Sequence, residues 1–122
     1  MPVIQIRMTS TERAEDIIEA MVRVLKLRHG LKIRRRAFIV RWGQLRRRLS
    51  ATAEYQAFRT EVIARDSGQC RKCGARTTTV HHRRRVSRAP RLAILVSNGE
   101  LRCDTCHART HPWMKEASDG RR

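Results

Sequence analysis

The sequence lacks a run of 18 or more apolar residues, which excludes a transmembrane helix by the usual length criterion. Its N-terminal stretch MPVIQIRMTSTERAED shows no apolar core after a basic start, so a signal peptide is not expected. We therefore expect a cytoplasmic protein, either bacterial or phage-encoded and acting in the host cytoplasm. Thiols stay reduced there, and paired cysteines are more often metal ligands than disulfides.

Acidic residues are also scarce, and the net charge is +17. The stretch from Ala20 to Ala53 contains eleven Lys/Arg and no acid, and the stretch from Ser67 to Gly99 contains eight and no acid. A field of this sign attracts polyanions, and nucleic acid is the commonest such partner. A highly charged, solvated surface without a dedicated ligand is the alternative. The preference for arginine fits forked bonds to phosphate, but it fits a GC-rich genome equally well.

Aromatic residues are absent from Asp66 to His111, where large aliphatic residues are few. So small a core can hardly hold that segment alone, and a structural metal is a known remedy. The same segment contains two C-x-x-C pairs, 29 residues apart: Cys70 with Cys73, and Cys103 with Cys106. This spacing predicts one structural zinc held by four thiolates. Two unrelated redox or buried pairs are the alternative.

The first 50 residues predict a basic helical region. Thr9 and Glu12 fit a capping box, and Gly30 is a plausible stop for a helix over 9–29. A second helix is expected over about 32–49. Whether its arginines touch DNA phosphates or only face solvent stays open. The two helices should pack together through apolar stripes at helical spacing, formed by Ala14, Ile17, Ile18, Met21 and Leu25 and by Phe38, Trp42, Leu45 and Leu49.

The remainder predicts a small α+β fold. A third helix over about 53–65 should be capped by Thr52 or Ser50. Short strands are expected at 77–80 and 101–103, with a turn at 98–99 and a final helix from about Asp104. The apolar run 92–96 fits either a strand or a buried helical turn. We expect residues 51–117 to form the second domain, after the helical region 1–50, and residues 118–122 to form a disordered tail.

Four of the five histidines fall in this second part. His107 and His111 are four residues apart and share one face of a helix, so both can reach one metal ion. His81 and His82 are adjacent, and neighbours on a strand point to opposite faces. One of them can therefore join the metal ligands, while the other is free to act as a general base near neutral pH. The alternative is that all four are surface residues of a basic zinc ribbon.

The segments CRKCG, VHH and NGELRCDTCHARTH, in this order, resemble the HNH endonucleases whose ββα-metal core is held by a four-cysteine zinc. The resemblance covers about residues 55–113. It implies that His81 is a metal ligand and His82 the general base. It also implies that Asn98 ties the loop between the strands so that the base stays in position. His107 and His111 would be the remaining metal ligands, although Pro112 is expected to end the helix at His111.

The resemblance further implies metal-dependent hydrolysis of phosphodiester bonds in DNA, with one strand cut per active site. His81 stands where many family members have Asp, so the catalytic metal could be Mg²⁺, Mn²⁺, Ni²⁺ or Zn²⁺. Double-strand cleavage would need a homodimer or two successive nicks. Four arginines after the base are expected to hold the flanking phosphates: Arg83, Arg84, Arg85 and Arg88.

Two other functions remain open: a non-catalytic zinc-ribbon protein that binds nucleic acid, and a basic subunit of a larger DNA-processing assembly. A ribbon needs neither the VHH sequence nor Asn98 nor the H-x-x-x-H pair. Their presence together favours the endonuclease.

Overall fold

The computed structural model describes residues 11–110 and shows a small α+β protein, as the sequence predicts. Four α-helices and one two-stranded antiparallel sheet lie within that range. In chain order they are α1 (Ala14–His29), α2 (Arg35–Ser50), α3 (Ala53–Arg65), β1 (Val80–His82), β2 (Gly99–Leu101) and α4 (Asp104–Thr110).

The chain forms two compact units, and the first is assembled from two separate segments. It contains the residues up to Phe58 together with Arg84–Leu95. The second unit contains Arg59–Arg83 and the residues from Val96 onward. Helix α3 therefore contributes its first half to one unit and its second half to the other.

Helix α1 begins later than the sequence predicts. Its N-cap residue is Arg13, which makes no side-chain capping bond. Thr9 lies outside the described residues, and the predicted capping box is wrong. The carboxylate of Glu12 instead accepts the Arg48 Nε–H, with both oxygens 3.1 Å from the nitrogen. At the helix start, the Ala14 N–H donates to Glu54 Oε1 at 3.3 Å.

The left-handed residue that ends α1 lies one position after the predicted Gly30. Gly30 follows the last helical residue as predicted, but its φ of −84° is available to any residue. The left-handed conformation falls on Leu31, with a φ of 57°. The Leu31 N–H donates to Arg28 O at 3.0 Å and the Lys32 N–H to Leu27 O at 2.7 Å, so both bonds close the final turn. A leucine therefore occupies a position that glycine favours.

The core of the first unit lies between α1 and α2, as the predicted stripes require. Val24 is buried in place of the expected Leu25, and Trp42 is half-buried while its ring stacks on Phe38 with centroids 5.7 Å apart. The segment 84–95 adds three buried side chains and an ion pair between Arg91 and Glu19. The buried side chains of this unit include Ala14, Ile17, Ile18, Met21, Phe38, Leu45, Leu49, Tyr55, Phe58, Val86, Pro90 and Ala93.

Helix α3 is capped by Thr52, one of the two caps that the sequence allows. The Thr52 Oγ1 accepts the Tyr55 N–H at 3.1 Å, and its own hydroxyl donates to Leu49 O at 2.7 Å. Thr52 is fully buried, so both bonds are shielded from water. The Thr52 hydroxyl therefore bridges the end of α2 and the start of α3 across the short link between them.

The two strands pair in register, with Val80 opposite Leu101 and His82 opposite Gly99. The predicted strand 77–80 is wrong except at its last residue, because the Thr77 hydroxyl accepts the Thr79 N–H at 3.1 Å and competes with a sheet partner. The predicted strand 101–103 is shifted toward the N-terminus, since β2 covers Gly99–Leu101. At the predicted turn 98–99, Asn98 ends a 3₁₀ turn and Gly99 begins β2. The run 92–96 is neither strand nor α-helix, since short 3₁₀ turns occupy Pro90–Leu92 and Val96–Asn98.

None of the helices in the described range has the length and apolarity needed to cross a membrane.

Candidate metal centre

The first cysteine pair lies in a tight loop after α3. The Cys70 N–H donates to Ala75 O at 2.7 Å, and the Gly74 N–H donates back to Cys70 O at 2.8 Å. Gly74 has a φ of 82°, which a side chain would strain. The Lys72 N–H points at the Cys70 sulfur at 3.4 Å. This loop therefore turns both cysteines, Cys70 and Cys73, toward one point.

The second pair joins β2 to α4. Cys103 directly precedes the helix, and Cys106 lies in its first turn. The Cys106 N–H donates to the Cys103 sulfur at 3.5 Å, and the His107 N–H donates to Cys103 O at 2.8 Å. The helix start thus holds the two sulfurs close to each other and fixes the residue that follows them.

The four sulfurs all lie within 4.8 Å of one another, and the Cys73 and Cys103 sulfurs are 3.6 Å apart. Four thiolates around one zinc, with Zn–S bonds of about 2.3 Å, require sulfur separations of roughly 3.8 Å. The cluster therefore fits a tetrahedral metal ion. Four cysteines that can hold one metal are confirmed, which is consistent with a structural zinc; the identity of the metal is a prediction.

The thiols do not ionise equally without a cation. Burial raises the pKa of Cys70, but backbone N–H groups near both pairs outweigh it and lower that pKa to about 6. The hydrogen bond with Cys103, together with burial and the other sulfurs, raises the pKa of Cys106 to about 12. Four thiolates this close repel one another, so a dication is what makes the fully ionised cluster favourable.

A buried carboxylate that the sequence did not single out connects three parts of the second unit. Asp66 follows the last residue of α3 and its side chain is fully buried. It accepts the Leu101 N–H at 2.9 Å, Arg65 Nε–H at 2.8 Å and Arg71 Nη1–H at 3.0 Å. The hydrogen bond from Arg65 holds the pKa of Asp66 well below its usual range, although burial opposes it. We call Asp66, Arg65 and Arg71 the Asp66 cluster.

Arg65 also extends this cluster to the start of β2. Its Nη2–H donates to Gly99 O at 2.6 Å and its Nη1–H to Val96 O at 3.0 Å. The end of α3, the first cysteine loop and β2 are thus joined by charge-assisted hydrogen bonds. The sequence gives one signal for this, an Arg–Asp pair directly before the Ser67–Gly68 turn.

Two of the predicted metal-binding histidines lie beside each other. His81 is buried on β1, His107 is half-buried on α4, and their ring centroids are 5.2 Å apart at an interplanar angle of 72°. Two imidazoles bound to one ion through bonds of about 2.0–2.1 Å would place their centroids roughly 4.5–5.2 Å apart. The pair therefore fits a shared metal ion, and it fits an edge-to-face ring contact as well.

The other predicted residues of this centre surround the strand pair. His82 is half-buried and follows His81, so the two side chains leave β1 on opposite faces. Asn98 is buried, and its backbone carbonyl oxygen accepts the backbone N–H of Arg83 at 2.7 Å. This bond closes the chain between β1 and β2 at the end nearest to His82. His111 lies outside the described residues, and its predicted ligand role stays a prediction.

A second acid missed by the sequence lies opposite His81. Glu100 is its cross-strand partner, so the two side chains share one face of the sheet. The buried Glu100 carboxylate accepts an Arg102 N–H at 3.1 Å and has Arg83 Nε at 3.8 Å. Arg83, expected to hold phosphate, therefore already has a carboxylate within reach.

The other three predicted phosphate-binding arginines are Arg84, Arg85 and Arg88. All three are exposed and belong to the first unit, where they line an open cavity of about 520 Å³. Arg83 belongs to the second unit, so the four residues do not fall in one compact unit.

No protein-family model matches this chain, and neither the curated proteins nor the solved structures include a significant match.

Proposed function

We propose that this protein is a metal-dependent HNH endonuclease that hydrolyses phosphodiester bonds in DNA, one strand per active site. The observation that carries the proposal is the approach of His81 to His107, with His82 as the next residue on the same strand. The order of elements supports it: β1 supplies two histidines, β2 follows Asn98, and α4 supplies His107 directly after Cys106 of the cysteine cluster. A zinc ribbon alone requires none of these histidines.

His81 and His107 would hold a divalent metal, with His111 as a candidate third ligand. When bound, the metal would supply a positive charge that binds the scissile phosphate and stabilises the leaving 3′ oxygen. His82, on the opposite face of β1, would accept a proton from the attacking water. The backbone bond from Arg83 to Asn98 would keep the end of β1 in position, and the exposed arginines after it would bind flanking phosphates.

Cleavage is tested by incubating the purified protein with supercoiled plasmid and Mg²⁺, Mn²⁺, Ni²⁺ or Zn²⁺, with EDTA as the negative control. We expect nicked product with at least one of these metals and none with EDTA. The His82→Ala and His81→Ala variants should both lose cleavage. His29→Ala is the matched control, because His29 is an exposed histidine at the end of α1 and should leave cleavage unchanged.

Metal affinity separates the two neighbouring histidines. In calorimetric titration of Ni²⁺ or Mn²⁺ into zinc-loaded protein, His82→Ala should retain binding, since its ring would not touch the metal. His81→Ala should bind the metal roughly 10-fold or more weakly. Removing even a residue that only hydrogen-bonds to a metal ligand typically lowers metal affinity 10–100-fold. Loss of binding in His82→Ala alone would reverse the two roles. Cleavage and binding that survive both substitutions would refute the endonuclease and favour a zinc-ribbon protein that binds nucleic acid.

A further inference from the structure

The first unit contains an open groove between α1 and α2 that the proposed catalysis does not use. Its volume is about 1020 Å³. Its floor is apolar and consists of six side chains from the two helices and the link between them: Ala20, Val24, Leu27, Ile33, Ala37 and Val40. We call this feature the interhelical groove. Leu27 is 43% exposed and Val40 55% exposed, so large apolar side chains face solvent here.

The rim of the interhelical groove is basic. Among residues 11–110, four arginines line it and no acidic residue does: Arg23, Arg34, Arg36 and Arg41. The sequence contains no acid from Ala20 to Ala53 that could neutralise them locally. Glu19, one turn before the groove, is paired with Arg91 and also interacts electrostatically with Arg23, so three rim arginines remain without an acidic neighbour on their own helices. An apolar floor inside a positive rim is complementary to an apolar ridge with negative flanks.

The dimensions of the groove suit a short helix. Its walls run from Ala20 to Leu27 on α1 and from Arg36 to Gln44 on α2. At 1.5 Å per residue these stretches are about 10–12 Å long. Apolar anchors at positions i, i+3 or i+4, and i+7 of a guest helix span about the same length. The groove therefore has room for two turns of an amphipathic helix.

Two other occupants fit less well. Nucleic acid would contact the arginines through phosphate but would gain little from six apolar side chains. A second copy of this chain carries the same net charge of +17, so the two copies would repel each other. We propose that the interhelical groove binds an acidic amphipathic helix of a partner protein, with apolar anchors on its floor and carboxylates at its arginine rim.

The test uses a labelled 14-residue synthetic peptide with leucines at i, i+3 and i+7 and glutamates on both flanks. Binding to the full-length, zinc-loaded protein is measured by fluorescence anisotropy. Ile39 and Val40 provide a matched pair, since they are neighbours on α2 with exposures of 56% and 55%, and only Val40 lines the groove. Val40→Asp should weaken binding at least 10-fold and Ile39→Asp by less than twofold.

The rim is tested in the same way. Arg34→Ala and Arg36→Ala should each weaken binding several-fold, while Arg35→Ala, which does not line the groove, should have little effect. A peptide with lysine in place of glutamate should not bind. Circular dichroism melting of every variant checks that the surface substitutions leave the fold intact.

Three results would overturn the proposal. Equal effects of Val40→Asp and Ile39→Asp would mean that the peptide does not use the groove. A DNA duplex whose own affinity falls with Val40→Asp but not with Ile39→Asp would assign the groove to nucleic acid. A dimer in sedimentation that Val40→Asp alone dissociates would assign it to a second copy.

Discussion

Replacing Asp66 with alanine should destabilise the second unit by about 3 kcal/mol. The Leu101 N–H loses its partner in a buried position, which costs about 1–3 kcal/mol. The Arg65 and Arg71 side chains are 32% and 46% exposed, so water can solvate them after the change. Their ion pairs therefore contribute only about 0.5–1 kcal/mol each.

The measurement is denaturant unfolding of zinc-loaded protein, followed by a signal from the second unit. Glu61→Ala is the control, because Glu61 is an exposed acid on the same helix and should change stability by less than about 0.5 kcal/mol. A loss below about 1 kcal/mol for Asp66→Ala would refute the idea that the Asp66 cluster joins α3, the first cysteine loop and β2.

Because the folded-state pKa of Asp66 is lowered, its contribution to stability should depend on pH. A carboxylate with a lowered folded-state pKa stabilises the protein above its unfolded value, about 3.9, and loses that contribution as the pH falls toward the folded value. The stability difference between wild type and Asp66→Asn should therefore be full at pH 6–7 and shrink below about pH 4. Zinc release in acid affects both proteins, so it cancels in the difference. A difference that grows on acidification would contradict the assignment.

Three further changes test other parts of the structure. Elemental analysis should find about one zinc per chain, and Cys103→Ala should abolish it and make the second unit sensitive to protease. Thr105→Ala, on the exposed side of α4, is the control and should do neither. Leu31→Gly should raise the free energy of unfolding by about 0.5–1 kcal/mol, because glycine adopts a left-handed φ without strain; an unchanged or lower melting temperature would contradict this. Thr52→Ala should lower stability by about 1–2 kcal/mol, while Thr52→Ser, which keeps the capping hydroxyl, should recover most of the loss.

The helices and the cysteine cluster were predictable because their signals are local. Apolar residues at helical spacing locate α1 and α2, and the Thr52 hydroxyl needs only a residue three positions later. The paired C-x-x-C spacing likewise predicts four sulfurs that can converge on one ion. The helix signals and each C-x-x-C pair lie in a few neighbouring residues; that the two pairs meet, 29 residues apart, follows from the chemistry of a four-thiolate zinc site.

The strands and the buried acids were not predictable in the same way. A strand of three residues carries too little periodicity to place its ends, and the Thr77 hydroxyl shifts the start of β1. Asp66 looks like an ordinary turn residue until β2 brings the Leu101 N–H to it from 35 positions along the chain. Glu100 acquires its place opposite His81 only through the register of the sheet.

The two-segment construction of the first unit has a consequence for synthesis on the ribosome. Its core is incomplete until Val86, Pro90 and Ala93 have emerged. Helices α1 and α2 therefore cannot complete their packing before a segment that is synthesised after β1. By then Cys70 and Cys73 have also emerged, while Cys103 and Cys106 follow 8 to 11 residues after Leu95, about 0.4–2 seconds later at ordinary elongation rates. The two units therefore complete their cores within a few seconds of each other, and a nascent chain halted before Leu95 would expose both an unfinished apolar core and a half-formed thiol site.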